Sequence, residues 1–159
     1  MVKLLLVKGA KFHGGELAQA ALAGNQDESL AMITALLQAG ADVNSRRLFQ
    51  GGCAAHDYGF TALFWAGYKG NKNSVKLLLA QPGIKLDAIN IDGDTALMAA
   101  VRRSDAEIIE MLLKAGANVS ITNQNGETAT AIAQKGLQEQ QARLTKQQDI
   151  ISTLQSRPK

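Results

Sequence analysis

Gly59-Phe60-Thr61-Ala62-Leu63-Phe64-Trp65-Ala66 decides the reading of this chain, because the phrase returns. Gly93-Asp94-Thr95-Ala96-Leu97-Met98-Ala99-Ala100 repeats it, and Gly126-Glu127-Thr128-Ala129-Thr130-Ala131-Ile132-Ala133 is a weaker copy. The glycines fall 34 and then 33 residues apart, and the threonines keep step. A period of this size marks stacked supersecondary units, none able to bury its apolar face without a neighbour. A threonine before apolar residues at helical spacing sits where its hydroxyl accepts from an amide of the first turn. Alanines at 66, 100 and 133 are small enough to let neighbouring helices approach closely.

The second half of each unit keeps the same phase. Met32-Ile33-Thr34-Ala35-Leu36-Leu37 leads to Gly40, Val75-Lys76-Leu77-Leu78-Leu79 to Gly83, and Ile108-Ile109-Glu110-Met111-Leu112-Leu113 to Gly116. Ala41-Asp42-Val43-Asn44 and Ala117-Asn118-Val119-Ser120 follow the first and last of these glycines. Glycine there supplies the left-handed residue that ends a helix. On these two recurring motifs the chain resembles the ankyrin repeat family. That family's unit is a β-hairpin tip, a helix opened by Thr-Pro-Leu-His-x-Ala, a turn, and a second helix ending in Leu-Leu-x-x-Gly-Ala-Asp-Val-Asn. The resemblance implies an all-α repeat fold (an α-solenoid), an ankyrin-type stack of helix-turn-helix units joined by β-hairpin loops. Two departures stand out. Ala62, Ala96 and Ala129 replace the family's proline, and Phe64, Met98 and Ala131 replace its histidine.

These motifs divide a single domain, 1–159. Residues 1–11 match the end of a second helix and form a partial N-terminal unit. Full units follow at 12–44, 45–89 and 90–122, and 123–159 forms the C-terminal cap. Leu17, Ala20, Ala21 and Gly24 place the first unit's opening helix, with a turn expected at Asn25–Ser29. Leu137, Leu144 and Ile151 are spaced by seven, with glutamines between them. So short a seam falls below a coiled coil's needs, and the tail reads as a lengthened final helix capping the stack.

Composition removes several function classes. The net charge is +3, but Lys and Arg are scattered among Asp and Glu, with no basic run longer than two, and aromatics are 4% of the chain. Nucleic-acid binding, which needs a continuous cationic track with stacking aromatics, is therefore not expected. No apolar run reaches the length of a membrane span, and Met1–Lys8 holds too short an apolar stretch for a secretory signal. One cysteine, Cys53, excludes an internal disulfide and points to a reduced, cytoplasmic setting.

The segment Ser45–His56 is the one that ordinary repeats do not explain. Gly59 lies sixteen positions after Val43, whereas Gly126 lies seven after Val119. Arg46 and Arg47 beside Leu48 and Phe49 suit an acidic, partly apolar partner surface. The plainer reading is a tolerated insertion. Cys53, His56 and Asp57 lie close together in sequence, but a thiol nucleophile needs a pocket and an orienting group, and a zinc site needs about four ligands. The only other histidine, His13, lies in another unit, so no catalysis, metal or cofactor is expected.

The resemblance places the partner-binding surface on the concave face and the hairpin tips. Carried over to this sequence, it adds Tyr58, Phe60, Tyr68 and Lys69 in the second unit, with Asp57 beside them. In the third unit it adds Asp92, Asp94, Arg102 and Arg103 with Asn90, and in the cap Lys135 with Gln124. The competing reading pairs these cations with nearby acids such as Asp105 and Glu107. Trp65 is expected to pack between units. The function implied is a monomeric protein-protein interaction module, an adaptor, inhibitor or escort. Its alternative is a regulatory or targeting fragment of a larger enzyme or secreted effector.

Overall fold

The three threonines of the repeated phrase open helices as their chemistry demands. Thr61 Oγ1 accepts from the amide of Phe64 at 3.2 Å, Thr95 from Met98 at 3.3 Å and Thr128 from Ala131 at 3.2 Å. The structure, a computed structural model of the chain, describes residues 15–22, 25–49 and 56–155. In order, its elements are α1 (Glu16–Leu22), α2 (Gln26–Gln38), β1 (Arg46–Phe49), β2 (His56–Thr61), α3 (Ala62–Lys69), α4 (Lys72–Leu79), α5 (Ala96–Arg103), α6 (Ala106–Lys114) and α7 (Ala129–Gln155).

The second helix of each pair is capped by an asparagine or aspartate side chain. Asn25, Asn71 and Asp105 accept from the amides of Glu28, Ser74 and Ile108 at 2.9, 3.1 and 3.3 Å. Asn25 therefore corrects the expected turn at Asn25–Ser29: the helix has already begun at Gln26, and Asp27 and Glu28 in its first turn suit the positive end of the helix dipole. Left-handed Gly70 ends α3, and Ser104 does the same for α5 at φ 57°. The α3–α4 and α5–α6 pairs thus each double back across two residues.

Pairs stack in two rows. In the inner row α1 packs on α3, α3 on α5 and α5 on α7; in the outer row α2 packs on α4 and α4 on α6. The core runs between the rows through Leu17, Ile33, Leu63, Leu78, Met98, Ile108 and Leu112, all at most 1% exposed. Ala66 and Ala100 are fully buried where inner helices meet, and Gly67 lies so close to α5 that a β-carbon would come within 3.1 Å of the Ala96 carbonyl. Ala133, expected to play the same role, is exposed, because no further inner helix lies beyond α7 among the described residues.

Two glycines carry the hairpin tips from unit to unit. At Gly59 (φ +65°) a β-carbon would lie 3.1 Å from Asn90 Cα, and at Gly93 (φ +77°) it would lie 3.0 Å from Asn123 Cα. Both the left-handed backbone and the close approach require glycine. Gly126, with no following tip among the described residues, has nothing within 4 Å.

The long insertion differs from the loop expected. Its flanks pair as an antiparallel ribbon, Arg46 with Thr61, Arg47 with Phe60, Leu48 with Asp57 and Phe49 with His56. The register slips between Arg47 and Leu48, leaving Tyr58 and Gly59 as extra residues on β2, a bulge of the kind that glycine accommodates. Elsewhere the tips are tight turns. The Asn90 amide donates to the Asp94 carbonyl at 3.1 Å, and that of Asn123 to the Glu127 carbonyl at 3.0 Å. The partial unit at 1–11, Gly24, Cys53 and His13 lie outside the described residues.

Leu112 has no exposed surface and faces the middle of this core. Leu112→Ala should lower stability by about 2–5 kcal/mol through the cavity it leaves, as read by equilibrium denaturation.

Candidate functional site

One position in the repeat holds three different interactions in succession. The residue before each helix-opening threonine lies eight residues ahead of a residue near the end of that inner helix. The pairs are Phe60 with Tyr68, Asp94 with Arg102 and Glu127 with Lys135. At about 3.6 residues per turn this brings the two ends onto one side of the helix.

In α3 the position is aromatic. The rings of Phe60 and Phe64 lie 4.9 Å apart, those of Phe60 and Trp65 4.9 Å, and Phe64 and Trp65 meet edge to face at 5.9 Å. Tyr68 stacks on Phe64 at 6.4 Å and meets the edge of Trp65 at 5.5 Å. The cluster rises from core to surface: Phe64 is buried, Phe60 and Trp65 are half-buried, and Tyr68 is 47% exposed. Trp65 thus packs on the core only in part. Offset and edge contacts of this kind hold rings in fixed places. Lys69 is exposed beside Tyr68.

In the next two units the same position is ionic. Arg102 Nη2 donates to Asp94 Oδ1 at 2.9 Å and Oδ2 at 3.2 Å, and Lys135 Nζ donates to Glu127 Oε1 at 3.0 Å. A single asparagine ties the two together. Asn123 Nδ2 donates to Asp94 Oδ1 at 3.0 Å and Glu127 Oε2 at 3.3 Å, while its carbonyl accepts from the amides of Asn125 and Glu127 at 3.0 and 2.9 Å. The Lys135 ammonium, with help from Asn123, holds the Glu127 carboxyl below the usual carboxylate range. Asn90 has the equivalent role in the preceding unit, its carbonyl accepting from the amides of Asp92 and Asp94 at 3.0 and 2.8 Å.

The expected binding residues therefore divide. Phe60, Tyr68, Lys69, Arg102 and Lys135 gather along the inner helices, but Asp94 and Arg102 are engaged with each other. Arg103 folds back over Gly70, where a β-carbon would come within 2.6 Å of its Nε. Asp92 is exposed, and its carbonyl is stapled to the next tip by the amide of Gln124 at 2.9 Å. Arg46 is exposed, with Nη1 3.4 Å from the point a β-carbon on Gly59 would reach. Arg47, Phe49 and Tyr58 lie on β1 and β2, and their side chains fall outside the described set. The acids named as competing partners have other duties: Asp105 caps α6, and Glu107 pairs with Lys72. Asn123 is absent from the residues expected on sequence grounds. Yet Asn90 and Asn123 each stand three residues before a tip glycine and 33 apart, which is a readable signal.

Among the described residues, no group of three or more His, Cys, Asp or Glu could hold a metal ion, and no helix is long and apolar enough to cross a membrane. Comparison with known proteins agrees with the geometry. Residues 63–113 match the family model for ankyrin repeats (many copies). The chain is similar to an ANK repeat-containing protein, nipk-1, of Caenorhabditis elegans, with 32% identity over 114 residues covering 64% of this chain and 17% of that protein. It is also similar to an ankyrin repeat domain-containing protein, SAT10, of Stachybotrys chartarum, with 34% identity over 98 residues, 62% of this chain and 4% of that protein. The chain thus spans a small fraction of the length of these relatives.

Two outcomes test the polar network. Asn123→Ala strands the amides of Asn125 and Glu127 and should cost about 1–3 kcal/mol in denaturant unfolding. Because the Glu127 carboxyl is held below its ordinary value of 4.5, its contribution to stability is present above that pH and is lost as pH falls through the lower, folded value. Glu127→Gln should accordingly flatten the acid limb of the stability profile, lowering stability at neutral pH while leaving it little changed well below pH 4.5.

Proposed function

Since the chain belongs to the ankyrin repeat family, whose repeats are general protein-protein interaction modules, we propose that it binds a partner protein along its hairpin tips and inner helices. The observation that carries this reading is the aromatic cluster ending in half-exposed Tyr68. Where the two following units place intrachain ion pairs, this one presents rings to solvent. Tyrosine is favoured at interface cores because it offers large rigid contact area with one polar group. Exposed Lys69 follows it in α3 and exposed Arg46 lies by Gly59, so a complementary partner surface would be apolar with acidic groups around it. The β1–β2 ribbon extends the same edge, with Arg47 and Phe49 on it. The role follows as adaptor, inhibitor or escort: a stack whose tips are already stapled loses little freedom on docking.

Several cations suited to phosphate are engaged within the chain. Arg102, Lys135, Lys72 and Lys114 pair with Asp94, Glu127, Glu107 and Glu110, which supports a protein rather than a nucleic-acid partner. A binding module without catalysis, acting in a reduced cytoplasmic setting, fits a chain with one cysteine. A second reading keeps this surface in the service of a larger protein, as a regulatory or targeting segment. The observation favouring it is the great length of both relatives beyond the matched stretch.

Proteins captured by the immobilised chain should be compared among wild type, Tyr68→Ala with Lys69→Ala, and Lys76→Ala on the outer row. Partners retained by wild type and by Lys76→Ala but lost with the double substitution support the proposal, provided the melting temperature stays within a few degrees. Equal retention by all three would refute it.

A further inference from the structure

Among the described residues α1, α3 and α5 are each followed by an outer helix, but α7 is not. Instead α7 runs on unbroken for 27 residues, about 40 Å at 1.5 Å per residue. A groove of about 740 Å³ is left between α6 and the first turns of α7, lined by Ile109, Leu113 and Leu137 and also by the charged Arg102, Lys135 and Glu139. Leu113, Val119 and Leu137 are 44%, 46% and 58% exposed. Beyond the groove, α7 carries Leu144 and Ile151 at 56% and 49% exposure. An end unit of a repeat array ordinarily turns a polar face outward; this one does so but also leaves Leu137, Leu144 and Ile151 exposed.

The groove wall and the projecting helix share one face. Ala133, Leu137, Gln140, Leu144, Gln147 and Ile151 follow each other at steps of four and three, the spacing of a helix-pairing seam. None of them is charged, while Lys135, Glu139, Arg143, Lys146 and Asp149 all fall outside this stripe. A surface helix that keeps its charges off one long stripe, and places apolar groups along it, is built to meet another helix.

We propose that a second copy of this chain covers the stripe, the two α7 helices pairing antiparallel about a two-fold axis. The distal half of each α7 then lies beside the other's Ala133 and Leu137 and against its Ile109 and Leu113. In that direction it runs alongside α6 as α6 runs alongside α4, so it fills the place of the missing outer helix. The chain's own distal half cannot do this, since the continuous helix carries it away from its own groove. A two-fold arrangement makes each contact twice, which offsets the shortness of the seam. It also replaces the monomer expected from sequence with a dimer, and leaves the aromatic face on α3 untouched.

Sedimentation equilibrium of the full chain across a concentration series tests this. The mass should rise from one chain to two. Leu144→Gln with Ile151→Gln, and separately Leu113→Gln on α6, should each raise the dissociation constant about tenfold or more. All these side chains are exposed in the single chain, so far-UV circular dichroism of the dilute variants should match wild type. A chain that stays monomeric throughout, folded back or awaiting a different partner, would overturn the proposal. So would a dimer indifferent to the α7 pair. A dimer weakened by the α7 pair but indifferent to Leu113→Gln would overturn the antiparallel filling of the groove.

Discussion

The close approach of one inner helix to the next is the constraint on which the rest of the structure depends. A unit of two short helices has too little interior to fold alone, and its apolar side chains leave water only when the neighbour's inner helix comes close enough to share them. Ala66, Ala100 and Gly67 permit that distance. Once the helices are this close, the hairpin tips are forced together as well. Gly59 and Gly93 then become obligatory, because a side chain there would meet the next unit's backbone. The polar bonds follow from the same spacing. Asn71 Nδ2 reaches the Gln26 carbonyl at 3.3 Å, and Asn44 reaches the Gly83 carbonyl at 2.8 Å, only because the units lie one helix diameter apart.

What could be read from the residues alone was whatever the period repeats. The threonine caps, the buried leucines and the stacked order of α1, α3, α5 and α7 all follow from features that occur more than once, so each copy checks the others. Features present once were harder. The ribbon of β1 and β2 depends on pairing across a long connection, and no neighbouring repeat offers a template for it. The start of α2 at Gln26 was hidden because Asn25, Asp27 and Ser29 favour turns as readily as caps. Side-chain partners were harder still. Arg102 had several acids within reach in sequence, and the choice of Asp94 over Asp105 rests on three-dimensional placement and on Asn123 holding the carboxylate from the other side.

The contrast among Phe60–Tyr68, Asp94–Arg102 and Glu127–Lys135 shows how a repeat scaffold separates stability from recognition. All three pairs occupy equivalent positions, and all three sit over the end of an inner helix. The ionic versions close on themselves: Asp94 and Glu127 keep 14% and 20% of their side-chain surface, and their charges face cations of the same chain. The aromatic version has no such internal closure. Its upper ring keeps nearly half its surface in water although Phe64 beneath it is buried. Exchanging an ion pair for stacked rings gains no core, since Tyr68 lies outside it. A surface tyrosine held in a fixed orientation by edge and stacking contacts is what a binding face requires and what folding by itself does not.

The end of the stack obeys the same logic from the other direction. Inside the array, an apolar face left by one unit is taken up by the next, and the groove beside Leu113 has the form of such a face. Were α7 simply a cap, its charged residues would be spread around the helix and its last turns would gain nothing from leucine or isoleucine. Instead the five charges avoid one stripe, and that stripe begins inside the groove and continues past it. The continuity is the decisive point. A groove alone could await any apolar segment, and a projecting helix alone could be solvent-facing filler. One uncharged stripe that both walls the groove and runs beyond it is self-complementary, because a second copy turned about a two-fold axis presents to each groove the very segment that the groove lacks.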